Sequence, residues 1–180
     1  MIPDVISDLQ TIEWEKIVSI DLEDCNGAQW RFIKGSAVEY AIEKYNGNTD
    51  LVYVGDVHKD FDWPSRNMSV EVKSQLSGSM YTKSGEIRKT FSVKLNNSNG
   101  TNNKDVLLPS DVADIIIVVR NDGVFGIDKD TIIKKAKKTG DGFEVSVNEE
   151  DIIEITGKIN VPKRKINLKE KLDSVIYESI

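Results

Sequence analysis

Residues 70–75 read Val-Glu-Val-Lys-Ser-Gln, and shortly before them Lys59 to Trp63 read Lys-Asp-Phe-Asp-Trp. Side chains on a strand alternate between faces, so Met68, Val70 and Val72 take one face and Ser69, Glu71, Lys73 and Gln75 the other. By the same alternation Phe61 and Trp63 belong to a core face, and Asp60 and Asp62 share the opposite one. Pro64 to Asn67 is a turn between the two runs. A turn centred between Ser65 and Arg66 sets Asp60 across from Glu71, whereas a register one step later prefers Asp62. Pro64 follows Asp62 too closely for much strand to continue, which favours Asp60. Two facing carboxylates repel unless something neutralises them. A hard divalent cation does so, and Mg²⁺ is content with one or two carboxylates, water and a substrate phosphate. A lysine beside it can position the attacking water and offset charge on a phosphorane-like transition state. The chemistry this constellation suits is phosphodiester hydrolysis, with Asp60 and Glu71 as metal ligands and Lys73 beside them. The plainer reading is a solvated strand face, since Glu-x-Lys pairs on strands are common.

The elements that must carry these residues follow from periodicity. Residues 4–19 have a mixed helical pattern. In Gly-Ser-Ala-Val-Glu-Tyr-Ala-Ile-Glu-Lys-Tyr, Val38, Ala41, Ile42 and Tyr45 recur at helical spacing, and Gly47 with its neighbouring asparagines stops the helix. Residues 51–54 form a strand, followed by the two runs above. Residues 88–95 alternate with Phe91, Val93 and Leu95 on one face, and 96–104 form a polar loop. Residues 113–119 are nearly all apolar, as in a strand buried on both faces. Asn121 to Gly123 is a hairpin turn leading into a further strand. Residues 128–138 start acidic and end in lysines, the order a helix dipole favours. A short strand, Phe143 to Val147, and a final helix near residues 168–180 complete an α/β (α+β) chain: one domain over 1–180, with a central mixed sheet flanked by helices.

The spacing Asp60-x(10)-Glu71-Val-Lys73 resembles the PD-(D/E)xK nuclease superfamily, whose members carry Asp, Glu and Lys on a β-hairpin. Lys34 to Tyr45, Lys-Gly-Ser-Ala-Val-Glu-Tyr-Ala-Ile-Glu-Lys-Tyr, is similar to the first-helix motif of archaeal-type Holliday-junction resolvases. By that resemblance Glu39 faces the metal site, directly or through water. Ser36-x-x-Glu39 is also the spacing of a capping box, with the glutamate on a backbone N–H at a helix start, so both readings stand. One departure is that Lys59, not proline, precedes Asp60. The resemblance covers about residues 34–76 and fits the strands to about 127. It implies a restriction-endonuclease-like core over 34–127, a DNA-recognition segment over 77–105, and a C-terminal strand and helices over 128–180. The activity implied is that of a small type II restriction endonuclease, a Mg²⁺-dependent homodimer leaving 5′-phosphate ends, with a cognate DNA methyltransferase as its genetic companion. The alternatives are a structure-selective, resolvase-like nuclease and a non-catalytic DNA-binding module on the same fold.

Composition sets the outer limits. The formal net charge is −6, yet residues 1–63 hold thirteen acids against five bases while residues 64–105 hold seven bases against three acids. The basic middle is where a polyanion would lie. Gln75, Tyr81, Lys83, Arg88, Lys89, Lys94 and Lys104 are its candidate DNA contacts, for phosphate and for base edges. One cysteine, Cys25, allows no internal disulfide and fits a reducing cytoplasm, and the single histidine, His58, excludes HNH and HEXXH chemistry. The N-terminus reads as carrying no secretory signal, and no apolar run approaches the ~20 residues of a membrane span.

Overall fold

A computed structural model describes residues 3–18, 20–23, 28–56, 59–76, 78–88, 90–95, 108–139, 142–159 and 164–167. In chain order the helices are α1 (Pro3–Gln10), α2 (Trp14–Val18), α3 (Ala28–Lys44) and α4 (Lys129–Lys135). The strands are β1 (Ile20–Glu23), β2 (Val52–Tyr53), β3 (Phe61–Trp63), β4 (Met68–Gln75), β5 (Thr90–Lys94), β6 (Ile115–Arg120), β7 (Gly123–Asp128), β8 (Ala136–Thr139), β9 (Gly142–Asn148), β10 (Ile153–Glu154) and β11 (Arg164–Asn167). Six strands form a mixed sheet in the order β10-β7-β6-β4-β3-β2, in which β4 and β6 run parallel and the other pairs antiparallel. A second sheet has the order β5-β9-β8, and β1 pairs with β11 in parallel. The class is α+β with a mixed sheet.

Strand β6 shows why the middle of the sequence reads as continuously apolar. All six of its residues are buried. Ile115, Ile117 and Val119 enter one core with Val5, Leu9, Val38 and Ile42 of the helices. Ile116 and Val118 enter a second core with Val93, Val145 and Val147. Helices α1 to α3 therefore cover one face of the six-stranded sheet. The other face is covered by α4 and by the three-stranded sheet, so the expected flanking by helices is joined by a second sheet. The physical reason lies in Val93, Leu95, Val145 and Val147. Their inward faces are apolar at period two, so these strands pack sheet on sheet rather than extending the first sheet. Residues 128–135 start as the charge order predicts, with the Asp128 carboxylate accepting a hydrogen bond from the Thr131 N–H at 2.8 Å. The helix then gives way to β8 at Ala136. The final helix expected near 168–180 lies outside the described residues, as do the loop at 96–104, Cys25 and His58.

Two further differences concern helices. The N-terminal helical stretch is broken at Thr11 to Glu13 into α1 and α2. Helix α3 begins at Ala28 rather than near Gly35, so Ser36 and Glu39 sit in its interior. An interior serine has no orphan N–H groups to cap, and the capping-box reading of Ser36 and Glu39 falls. The helix does stop as expected: Gly47 adopts φ +61°, and a Cβ built there would lie 2.2 Å from the Thr11 carbonyl oxygen. Gly47→Ala is therefore expected to destabilise the fold by about 2 kcal/mol or more, from backbone strain and displacement of the α1–α2 connection. Urea unfolding of the two proteins measures this.

Candidate active site

Strand β3 meets β4 with Phe61 opposite Val70, Asp62 opposite Ser69 and Trp63 opposite Met68. The turn between them is a 3-10 segment, Pro64–Arg66, closed by Asn67 in the left-handed region at φ 50°. This register is the one expected for a turn centred between Ser65 and Arg66, and just past its last pair Asp60 lies close enough to Glu71 to feel its charge. Phe61, Trp63, Val70 and Val72 are buried together against the helices, which fixes the phase of both strands.

Asp60 stands where β3 ends. Its N–H donates to the Val70 carbonyl at 3.0 Å, and its Oδ2 accepts from the Val72 N–H at 2.6 Å. Beyond this point β4 has no β3 partner, so the Asp60 carboxylate takes over a ladder position. Glu71 is buried, and its Oε1 accepts from Lys73 Nζ. Both members of that ion pair are mostly enclosed, with 11% of the Glu71 side chain and 23% of the Lys73 side chain exposed. Glu71 Oε2 is buried and has no hydrogen-bond partner among the described residues. A buried carboxylate oxygen without a donor is costly unless something positive reaches it.

Glu39 joins the group from α3. Its carboxyl is pushed upward by burial and by the charge of Glu71, against the opposing effects of a hydrogen bond from Tyr53 and of the Lys73 charge. Asp60 is raised further, to about 7, by burial and by the Glu71 charge, with Glu39 adding and the Val72 N–H opposing. Three acids and one lysine thus feel one another in a partly enclosed space. Tyr53 was not legible as a site residue from the sequence. It sits opposite Phe61 in the β2–β3 register, and the two rings meet edge to face with centroids 5.5 Å apart. The sequence marks 51–54 as a strand but does not say that Tyr53 pairs with Phe61 and reaches Glu39.

The other residues singled out by sequence disperse. Asp62 pairs with Lys59 Nζ at 2.5 Å and does not join Glu71. Asp56 is exposed. Gln75 lines a cleft beside Lys73, together with Gly35, Ser74, Ser92 and Lys94. Lys83, Arg88 and Lys94 are exposed, and Arg88 Nε donates to the Ser79 carbonyl at 3.0 Å. Tyr81 is a correction: only 6% of it is exposed, and its hydroxyl donates to Glu154 Oε2 at 3.0 Å. Its ring packs in the second core, which leaves no face for a nucleotide to stack upon. The aromatic was read as interleaved with lysines, but the strand-like Tyr81–Ile87 bridge turns it inward. Lys89 and Lys104 lie outside the described residues.

The donor set fits a hard cation better than a soft one. Among the described residues no three His, Cys, Asp or Glu side chains form a ready-made cage. What the hairpin offers instead is carboxylate oxygen from two adjacent strands, one atom of it buried and unpartnered. That suits an ion which keeps water and takes phosphate oxygen to complete its shell, as Mg²⁺ does. No helix among the described residues is long and apolar enough to cross a membrane. The chain matches no protein-family model, no curated protein and no solved structure.

Proposed function

We propose that the β3–β4 hairpin is the active site of a Mg²⁺-dependent nuclease that hydrolyses phosphodiester bonds of double-stranded DNA at a short sequence, in the manner of a type II restriction endonuclease with a PD-(D/E)xK site. The observation that supports this reading is the closeness of Asp60 and Glu71 at the end of the strand pair, with Lys73 on Glu71 and one buried Glu71 oxygen without a partner among the described residues.

Asp60 and Glu71 would hold the cation, which when bound supplies a Lewis acid and a lowered pKa for water. The chain's own residues do the rest. Val72 N–H fixes the Asp60 carboxylate by one oxygen, so its direction is set by the backbone of the neighbouring strand. Glu71 holds the Lys73 ammonium in the site, where it can orient water and stabilise charge growing on the phosphoryl oxygens. Glu39, held by the Tyr53 hydroxyl, adds an acid on the helix side. The two-fold of a duplex would be matched by a homodimer with one site per strand.

The structure-selective nuclease is the second reading, favoured by the similarity of 34–45 to resolvases. Incubation of the protein with Mg²⁺ and a panel of DNA forms tests the proposal. Discrete fragments from plasmid DNA support the restriction activity. Cleavage confined to four-way junctions moves the protein to the resolvase class, and a mobility shift without cleavage on any substrate sinks the enzyme reading.

A further inference from the structure

Beyond the carboxylates, the molecule carries a cleft of about 410 Å³ that the hydrolytic chemistry leaves unused. Its walls come from three elements. On one side is Gly35 of α3, on the other Ser92, Val93 and Lys94 of β5, and between them runs β4 from Val72 to Gln75. This part of β4 faces no β3 residue, since β3 pairs only as far as Phe61 opposite Val70. The cleft therefore opens along the part of β4 that carries Lys73.

Gly35 is the informative residue. It lies inside α3, where glycine is the worst residue short of proline. Two reasons usually excuse an interior glycine: a left-handed backbone, or a neighbour pressed against the Cα. Neither applies. Gly35 is absent from the positive-φ positions. A Cβ built there would find, among the described residues, only Glu39 Oε1 at 3.7 Å, an ordinary contact. Gly47 and Gly123 show the contrast, with neighbours at 2.2 Å and 2.8 Å. Gly35 thus borders the cleft with no described residue pressed against it. Ser74 also lines the cleft, with its Oγ buried and without a hydrogen-bond partner among the described residues, and the exposed Ser92 and Lys94 line it as well. The hydroxyl of Ser92 and the ammonium of Lys94, in a cleft that also takes in Lys73 and Gln75, suit a phosphate and sugar edge.

We propose that this cleft is the subsite for the nucleotide adjoining the scissile phosphate, with its backbone passing against the helix at Gly35 and its phosphate on Ser92 and Lys94. The inference rests on the nuclease reading. It adds that one strand of the DNA enters the cleft, which is too small for a duplex, and that Gly35 is kept small for substrate rather than for packing.

Three variants test it by thermal melting and by steady-state cleavage of duplex DNA in Mg²⁺. Gly35→Ala is expected to melt about 2–4 °C higher than the parent, because the helix gains a better residue and nothing is displaced. Gly35→Leu is expected to raise KM about tenfold or more with a smaller change in kcat, as its side chain fills the cleft. Lys94→Ala should lower the slope of log affinity against log salt by about one, the loss of one phosphate contact. If Gly35→Ala melts lower than the parent, the glycine serves the fold and the subsite is overturned, whatever Gly35→Leu does. A folded Gly35→Leu that cuts with the parent's KM also overturns it, with the nuclease reading left standing. A parent protein that cuts no DNA removes the nuclease reading, and the subsite falls with it.

Discussion

Lys73→Ala and Glu71→Gln should each reduce Mg²⁺-dependent DNA cleavage by about a thousandfold, or about 4 kcal/mol of transition-state stabilisation, while far-ultraviolet circular dichroism stays that of the parent. The two side chains form one enclosed ion pair, and each variant removes a different half of it. Without the lysine, no ammonium remains near the phosphoryl oxygens, and Glu71 is left buried with a charge and no counter-ion. Without the glutamate charge, the site loses a carboxylate for the proposed cation, and Lys73 loses its ionic partner. Removing either should cost about as much as removing both, because the residues act as a unit. Single-turnover rates on one labelled duplex give the comparison. Parent-like cutting by either variant would place the chemistry elsewhere.

The second large effect is on stability and belongs to Asp60. In the cation-free protein this carboxyl keeps its proton up to about pH 7, mainly because it is buried and because Glu71 is charged beside it. In the unfolded chain an aspartate loses its proton near pH 4. Between those values the native state holds a proton that the unfolded state has released, so stability falls as pH rises. The stabilisation is complete below about pH 4 and gone above about pH 7, with an upper limit of about 4 kcal/mol. Glu39, whose carboxyl is also raised, adds in the same direction. Urea unfolding in EDTA at pH 5 and pH 8 should therefore show the parent losing stability while Asp60→Asn loses much less. At pH 8 the variant should be the more stable protein, though inactive. An identical pH response in the two proteins would mean that Asp60 is not in the surroundings described. The same ionisation opposes cation binding: Mg²⁺ affinity should weaken as pH falls, since only the carboxylate can hold a cation, and titration of the protein with Mg²⁺ at pH 6 and pH 8 measures it.

The hairpin was the most legible part of the molecule because two patterns constrain it at once. Alternation assigns Phe61, Trp63, Val70 and Val72 to the core, and Pro64 with Asn67 marks the turn, so the register that pairs Phe61 with Val70 is nearly forced. The preference for Asp60 over Asp62 follows from strand length, and in the structure Asp62 pairs with Lys59 while Asp60 feels the Glu71 charge. Strand β6 was legible for a similar reason, since a run of isoleucine and valine admits little else. What escaped was information held between distant segments. Nothing in Thr90 to Leu95 says that its partner is β9 rather than β4, because the same alternation suits either neighbour. The start of α3 escaped because Gly35 and Ser36 look like a boundary, and local preference yields to a helix that continues through them. Tyr81 was read by composition among basic residues, whereas its burial depends on Glu154, more than seventy positions away.

The claim under all of this is that oxygens of Asp60 and Glu71 hold one divalent cation. Replacing Mg²⁺ with Fe²⁺ and adding ascorbate and peroxide generates hydroxyl radicals at the bound iron, which cut the polypeptide nearby. Mass spectrometry should then find the backbone broken next to Asp60 and next to Glu71, with Mg²⁺ in excess suppressing both cuts and Glu71→Gln removing them. Breaks at other positions only, or none above the background of free iron, would contradict it.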